Sequence, residues 1–255
     1  MNLKKMKYET REIWFKKKEK RIYSSCLIPL TGSEPYPTIL MAHGFGGSYE
    51  DNMINARRYA EEGYATCCFD FCGGSPYTLS DGKTTEMSVL TEVEDMLAVY
   101  EQLKQYDFVK KDAIILWGES QGGFVAALCA SKLKDQVPAA ILFYPAFSII
   151  EDGKKRFASY DAIRPFSFWD IPLGRNYYQD LWHLDVSAEI RQYKGSVILF
   201  HGTEDNMVPL FSSRKASQLY KHIRYIEFPG EGHGFSPAIS LKADRMILEY
   251  LKEIL

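Results

Sequence analysis

The chain is poor in the features that mark the less common protein classes. Its longest apolar run, Ala139 to Phe147, is nine residues broken by Pro145, against the ~20 a membrane-spanning helix needs. The opening MNLKKMKYETRE has no apolar stretch, so it does not read as a secretory signal. Cysteines are few and odd in number: Cys26, Cys67, Cys68, Cys72 and Cys129. They lie mostly in apolar segments and form no Cys-x-x-Cys or His/Cys metal spacing, so reduced, buried thiols of a cytoplasmic protein account for them best. A net charge of −2 lacks the basic excess of a nucleic-acid binder. Repeats and low-complexity linkers are also missing, which excludes solenoids and disorder.

What is present is ordinary globular material. Hydrophobic residues make up 46% and charged residues 25% of 255 positions, a length that one α/β domain over 1–255 can fill. Residues 1–21 carry nine Lys/Arg against three Glu. They read as a basic edge hairpin whose lysines block sheet-to-sheet aggregation; a homodimer contact is the other reading. Aromatics reach 14%, which composition alone does not explain.

Periodicity gives the organisation. Arg11–Phe15 and Arg21–Ile28 predict an antiparallel hairpin. Apolar strands at Thr38–Ala42, Tyr64–Phe71, Ala113–Trp117, Ala140–Tyr144, Val197–Phe200 and Arg224–Phe228 follow. Helices are predicted at about Asp51–Glu62, Thr85–Gln105, Gly122–Leu133, Phe211–Tyr220 and Ile239–Ile254. On the second helix Met87, Leu90, Val93, Leu97 and Tyr100 share one side. Apolar strands alternating with helices imply a mostly parallel sheet covered on both faces. The rhythm fails between Tyr144 and about Ser187, where Pro145, Pro165 and Pro172 fall. We read 146–186 as an insertion over the carboxyl edge of the sheet, where open α/β folds bind ligands. Residues 143–182 hold eleven aromatics in forty positions. Some pack the insertion down; the rest are available to wall a pocket.

The sharpest chemical signal is Gly118-Glu119-Ser120-Gln121-Gly122-Gly123. It follows the strand AIILW and opens an apolar helix, the setting a nucleophile elbow requires. A serine needs a base, and the base an orienting acid. Among five histidines, only His233, in the loop Glu231-Gly232-His233-Gly234-Phe235, combines a late position, a flexible glycine-rich loop and a strand end. His43 and His201 each precede a glycine at a strand end, His183 lies in the insertion and His222 on a charged helix end. Asp205, after the strand VILF, is the candidate acid; Glu204 is its neighbour in register, and Asp70 precedes Ser120 and breaks the order Ser, acid, His. An oxyanion needs two backbone N–H donors. Gln121 supplies one, and Phe45 or Gly46, in His43-Gly44-Phe45-Gly46-Gly47, the other. That loop is not a dinucleotide fingerprint, because Tyr49 stands where the third glycine belongs; no phosphate loop occurs either.

HGFGG, GESQGG, HGTEDNMVP and EGHGF, in this order, resemble the α/β-hydrolase superfamily over almost the whole chain. FDFCGGS, SDGKTTEMSVLTEVED and the insertion opening FYPAFSIIEDGKK resemble bacterial cinnamoyl and feruloyl esterases. GSPYTLS, between Gly74 and Ser80, departs from that family's shorter glycine turn. The resemblance implies an α/β-hydrolase fold with a small lid after the sixth strand. It also implies a Ser–His–Asp carboxylic-ester hydrolase acting on small aromatic esters, without metal or cofactor. Asp152 and Tyr177, with Tyr178 as the alternative to the latter, match lid positions that contact ring hydroxyls. The expected partner is a small ester, with no nucleic acid or membrane. A thioesterase, a small acyl-peptide hydrolase or a non-catalytic ligand binder of the same fold are the competing readings.

Overall fold

Alternation in the N-terminal segment produces a long antiparallel hairpin, β1 (Tyr8–Lys17) and β2 (Lys20–Pro29), joined at Lys18-Glu19. Ile13 and Phe15 are buried while Trp14 between them is exposed, as period 2 demands of a strand with one covered face. The structure, a computed structural model, describes residues 7–255. The readings that rest on residues 1–6, the start of the basic segment and the missing apolar leader, lie outside the described residues.

The chain continues as β3 (Tyr36–Ala42), α1 (Met53–Glu61), β4 (Ala65–Phe69), α2 (Val89–Leu103), β5 (Val109–Glu119), α3 (Ser120–Leu133) and β6 (Ala139–Phe143). After the insertion come β9 (Ser196–Gly202), α7 (Leu210–Ser217), β10 (His222–Phe228) and α8 (Pro237–Ile254). The insertion supplies α4 (Ile149–Arg156), the hairpin strands β7 (Phe166–Phe168) and β8 (Ile171–Leu173), α5 (Asn176–Gln179) and α6 (Val186–Ile190). The main sheet has the order β1-β2-β4-β3-β5-β6-β9-β10, parallel from β4 to β10. This is the α/β-hydrolase architecture expected from the sequence.

Both faces of the inner parallel strands are buried, whereas the edge strand β10 is mostly half-buried, so the side chains of one inner strand feed two cores. Leu40, Leu116 and Leu142 pack with Val93, Met96 and Phe124 on the α2–α3 face. Ile39, Met41, Ile115 and Ile141 pack with Tyr59, Ile247 and Leu251 on the α1–α8 face. Such strands read as continuous apolar runs.

The boundaries differ from the sequence reading for local reasons. Helix α2 begins at Val89 rather than Thr85, because Ser88 caps it, accepting from the Thr91 N–H in a capping box. Its buried stripe includes Glu92, Val93, Met96, Val99 and Tyr100, while Leu90 and Leu97 are only half-buried. Helix α8 begins at Pro237, whose missing N–H costs nothing in a first turn. Among the described residues no helix is long and apolar enough to cross a membrane.

The order of strands reverses around β3 and β5: β4 follows β3 on one side, and the chain then crosses to the other. A crevice opens beyond the carboxyl ends at such a switch point. The loops after β3, β5, β6, β9 and β10 all reach this edge.

Candidate active site

The elbow after β5 is sterically forced. Ser120 has φ +51°, the left-handed region that a side-chain-bearing residue rarely adopts. The turn closes so tightly that a Cβ on Gly118 would stand 2.1 Å from the Gly122 carbonyl oxygen, and one on Gly122 would stand 2.3 Å from that of His43. Only glycine fits at either place. The result lifts Ser120 to the end of the sheet at the start of α3.

His233 arrives on the loop after β10 and Asp205 on the loop after β9. Ser120 Oγ lies 3.0 Å from His233 Nε2, and His233 Nδ1 lies 2.8 Å from Asp205 Oδ2. The structure thus brings the three sequence candidates into one hydrogen-bonded line, with serine donating to imidazole and imidazole to carboxylate. Asp205 Oδ1 accepts from the N–H groups of Met207, at 2.9 Å, and Val208, at 2.8 Å. Burial pushes its carboxyl up, but bonds from His201, His233 and the Val208 N–H outweigh that and hold it well below the usual carboxylate range. An ionised acid beside Nδ1 favours the tautomer that leaves Nε2 free to accept the serine proton.

The remaining candidates separate cleanly. Glu204 is exposed and its N–H bonds the Glu231 carbonyl. Asp70 is buried and consumed by the N–H groups of Tyr49 and Leu79, both at 2.7 Å. His43 is buried, donates Nδ1–H to the Gly44 carbonyl at 2.7 Å and accepts from the Phe71 N–H; burial lowers its pKa. It braces the loop on which Phe45 lies. His183 stacks on Tyr160 in the insertion, and His222 opens β10 at the surface.

Gln121 lies in the first turn of α3, whose N-terminus no side chain caps. Its N–H is free of intrahelical partners and sits at the positive end of the helix dipole. The loop after β3 abuts the serine: a Cβ on Gly44 would meet Ser120 Cβ at 3.4 Å. Phe45 follows directly, with its ring edge-on to Phe168, Trp169 and Tyr177.

A cavity of about 520 Å³ opens over Ser120, a size suited to a small organic ligand. Asp152, Tyr177 and Tyr178 all line it, with Phe168 and Trp169 from the β7–β8 hairpin. The Tyr177 hydroxyl already donates to Gln121 Oε1 at 2.7 Å, so only its lone pairs are open to a ligand. Asp152 holds Ser148 and Lys155. Among the described residues no group of three or more His, Cys, Asp or Glu side chains is arranged to hold a metal.

Four residues escaped the sequence reading as parts of this site. Glu92 accepts from Gln121 Nε2 at 2.8 Å. His201 Nε2 approaches Asp205 Oδ2 at 3.2 Å and the Val208 carbonyl at 3.0 Å, while its Nδ1 meets Ser213. Nε2 faces two acceptors, so it carries the proton and Nδ1 accepts. Glu119 and Tyr144 bond each other at the cavity wall. The His201-Gly202-x-x-Asp205 spacing was a usable signal; the other three had none.

The family model that matches residues 52–255 is that of the prolyl oligopeptidase family. The quorum-quenching protein AidA of Acinetobacter baumannii is 29% identical over 133 residues, 51% of this chain and 40% of that protein. The α/β-hydrolase domain-containing protein WAV2 of Arabidopsis thaliana is 25% identical over 62% of this chain and 51% of its own length. The chain therefore spans about half or less of these curated relatives. Among solved structures, Est1E of Butyrivibrio proteoclasticus with ferulic acid bound superimposes with a TM-score of 0.84 at 25% identity, covering 93% of this chain and 98% of that one. With its sheet order, elbow and family match together, the chain belongs to the prolyl oligopeptidase family and has the α/β-hydrolase fold.

Proposed function

We propose that the protein is a serine carboxylic-ester hydrolase acting on small aromatic esters of the hydroxycinnamoyl or feruloyl type. The observation that carries this reading is the Ser120–His233–Asp205 line at the base of an aromatic-walled cavity. The likeness to Est1E with ferulic acid supports the aromatic acyl group. Ser120 Oγ attacks the ester carbonyl as His233 Nε2 takes its proton. The N–H groups of Phe45 and Gln121 stabilise the tetrahedral oxyanion, each such donor worth ~3–4 kcal/mol of barrier. His233 returns the proton to the leaving alcohol, and the acyl group stays on Ser120. Water then attacks with His233 again as base, releasing the acid and restoring the serine. The 146–186 insertion acts as the lid, with Asp152 and Tyr177 facing the ring.

Ser120→Ala is expected to lower turnover of methyl ferulate by about four orders of magnitude or more, with the fold intact by circular dichroism. A fluorophosphonate should label wild type at Ser120. Full activity in the variant sinks the mechanism. The family match favours one competitor, cleavage of short acyl-peptides. A panel of methyl ferulate, short p-nitrophenyl esters, acyl-CoA and peptide anilides separates them; a higher kcat/KM on peptide anilides than on any ester would replace the ester reading.

A further inference from the structure

The loop that carries His233 is fixed at its two ends, by the Gly230 N–H on Thr203 Oγ1 at 2.9 Å and by Phe235, which packs on Phe143 and Phe228. Gly230 and Gly234 adopt φ +78° and +80°, and a Cβ at either would meet nothing within 4 Å. The loop is tied at Glu231, whose carbonyl accepts from the Glu204 N–H at 2.9 Å, and at Ser236, whose N–H donates to the Glu231 carboxylate at 2.7 Å. Between these ties the imidazole must be held by side chains. Asp205 holds Nδ1 and Ser120 meets Nε2, but both bonds lie in the plane of the ring and leave it free to turn about the line that joins them. The restraint on that turning is the ring of Tyr144, whose centroid lies 4.7 Å from that of His233. Tyr144 also packs edge-on against Phe235, two residues after His233, at 5.1 Å.

Tyr144 is held in place at a cost. Its φ is +35°, a conformation that side chains seldom adopt and that persists only where the surroundings dictate it. Two bonds do so here. Its N–H donates to the Phe200 carbonyl at 2.7 Å, and its hydroxyl donates to Glu119 Oε2 at 2.9 Å. Glu119 immediately precedes Ser120. One side chain therefore lies against the imidazole with its tilted ring and reaches the nucleophile's own turn with its hydroxyl.

We propose that Tyr144 is a positioning residue that fixes the His233 imidazole against Ser120, with Glu119 as its anchor. The proposal rests on the reading of His233 as the general base. Its content is that the Ser120–His233 distance is set through the Tyr144–Glu119 bond and not by the glycine-rich loop.

The test uses the full chain with Tyr144→Phe, Tyr144→Leu, Glu119→Ala and the double variant Glu119→Ala/Tyr144→Phe. Three readouts apply: the rate of fluorophosphonate labelling at Ser120, kcat and KM on a p-nitrophenyl ester, and the proton resonance of His233 Nδ1–H. Tyr144→Leu is expected to slow labelling and kcat by about 100-fold, the cost of a misplacement near 1 Å, with KM nearly unchanged and the resonance broadened. Tyr144→Phe and Glu119→Ala, which keep the ring, should each lose about 10-fold, and the double variant no more than either alone, because both remove one bond. Wild-type kcat in Tyr144→Leu, or additive losses in the double variant, or an unmoved resonance throughout, overturns the proposal. Labelling and resonance need no ester. Normal wild-type labelling without turnover of any ester therefore defeats the substrate reading alone, whereas no labelling of Ser120 defeats the base reading and this proposal with it.

Discussion

Glu92 lies on α2 with 1% of its surface exposed, facing the Gln121 amide. Burial pushes its carboxyl well above the usual range, and the Gln121 bond only partly opposes this. The unfolded chain releases this proton near the ordinary carboxylate pKa, while the folded chain keeps it. Stability from this group is therefore fully present below that value and lost as pH rises through the window up to the folded pKa. Glu92→Gln keeps an acceptor for Gln121 and removes the titration. Urea unfolding at pH 4 and pH 8 should show the variant gaining on wild type at the higher pH; an equal difference at both would refute the neutral carboxyl. The residue matters because it begins a chain, Glu92 to Gln121 to Tyr177, that joins the proposed oxyanion donor to the wall of the cavity. No sequence signal exposed it, since a glutamate at the spacing of an apolar stripe is normally assigned to the solvent side.

At the scale of elements, the β7–β8 hairpin is the part of the cavity that the sequence did not reveal. Its strands are three residues each, too short for any period to register. By contrast β5, the elbow and α3 were legible, because a long apolar run, a glycine pair and an apolar helix have no other packing that satisfies them together. The hairpin tip carries Phe168 and Trp169, stacked at 4.8 Å and reaching over Phe45. Both are substantially exposed, at 38% and 58%, so their loss should leave the fold in place. Each aromatic contact is worth ~0.5–1.5 kcal/mol beyond its area. Phe168→Ala/Trp169→Ala is then expected to lower kcat/KM on methyl ferulate by roughly 10-fold or more, with p-nitrophenyl acetate changed little. Equal losses on both esters would mean that the hairpin supports the site rather than selects the acyl group.

Across the whole molecule, the candidate site exists because five loops meet at one edge of a parallel sheet. Ser120, Asp205 and His233 are far apart in sequence, yet chain order and strand-end placement were enough to select them before any distance was known. What the order of segments did not carry was the division of the aromatics. Tyr144, Phe168, Trp169, Tyr177 and Tyr178 line the cavity, while Phe143, Phe147, Phe157, Tyr160, Phe166 and Trp182 do not. That division depends on side-chain direction after an irregular chain has folded, which has no period to read. It also makes a whole-molecule measurement informative. A ligand that binds only the folded chain stabilises it by about 2.7 kcal/mol at 100-fold excess over its Kd, and a chain of this size moves its Tm by ~2–4 °C per kcal/mol. Ferulic acid near saturation should therefore raise the Tm of Ser120→Ala by roughly 5–10 °C, and Tyr177→Phe should reduce that rise if the Tyr177 hydroxyl accepts from the phenol. A shift no larger than that from an aliphatic acid of equal size would mean that the aromatic wall is packing and not a phenolic acyl pocket.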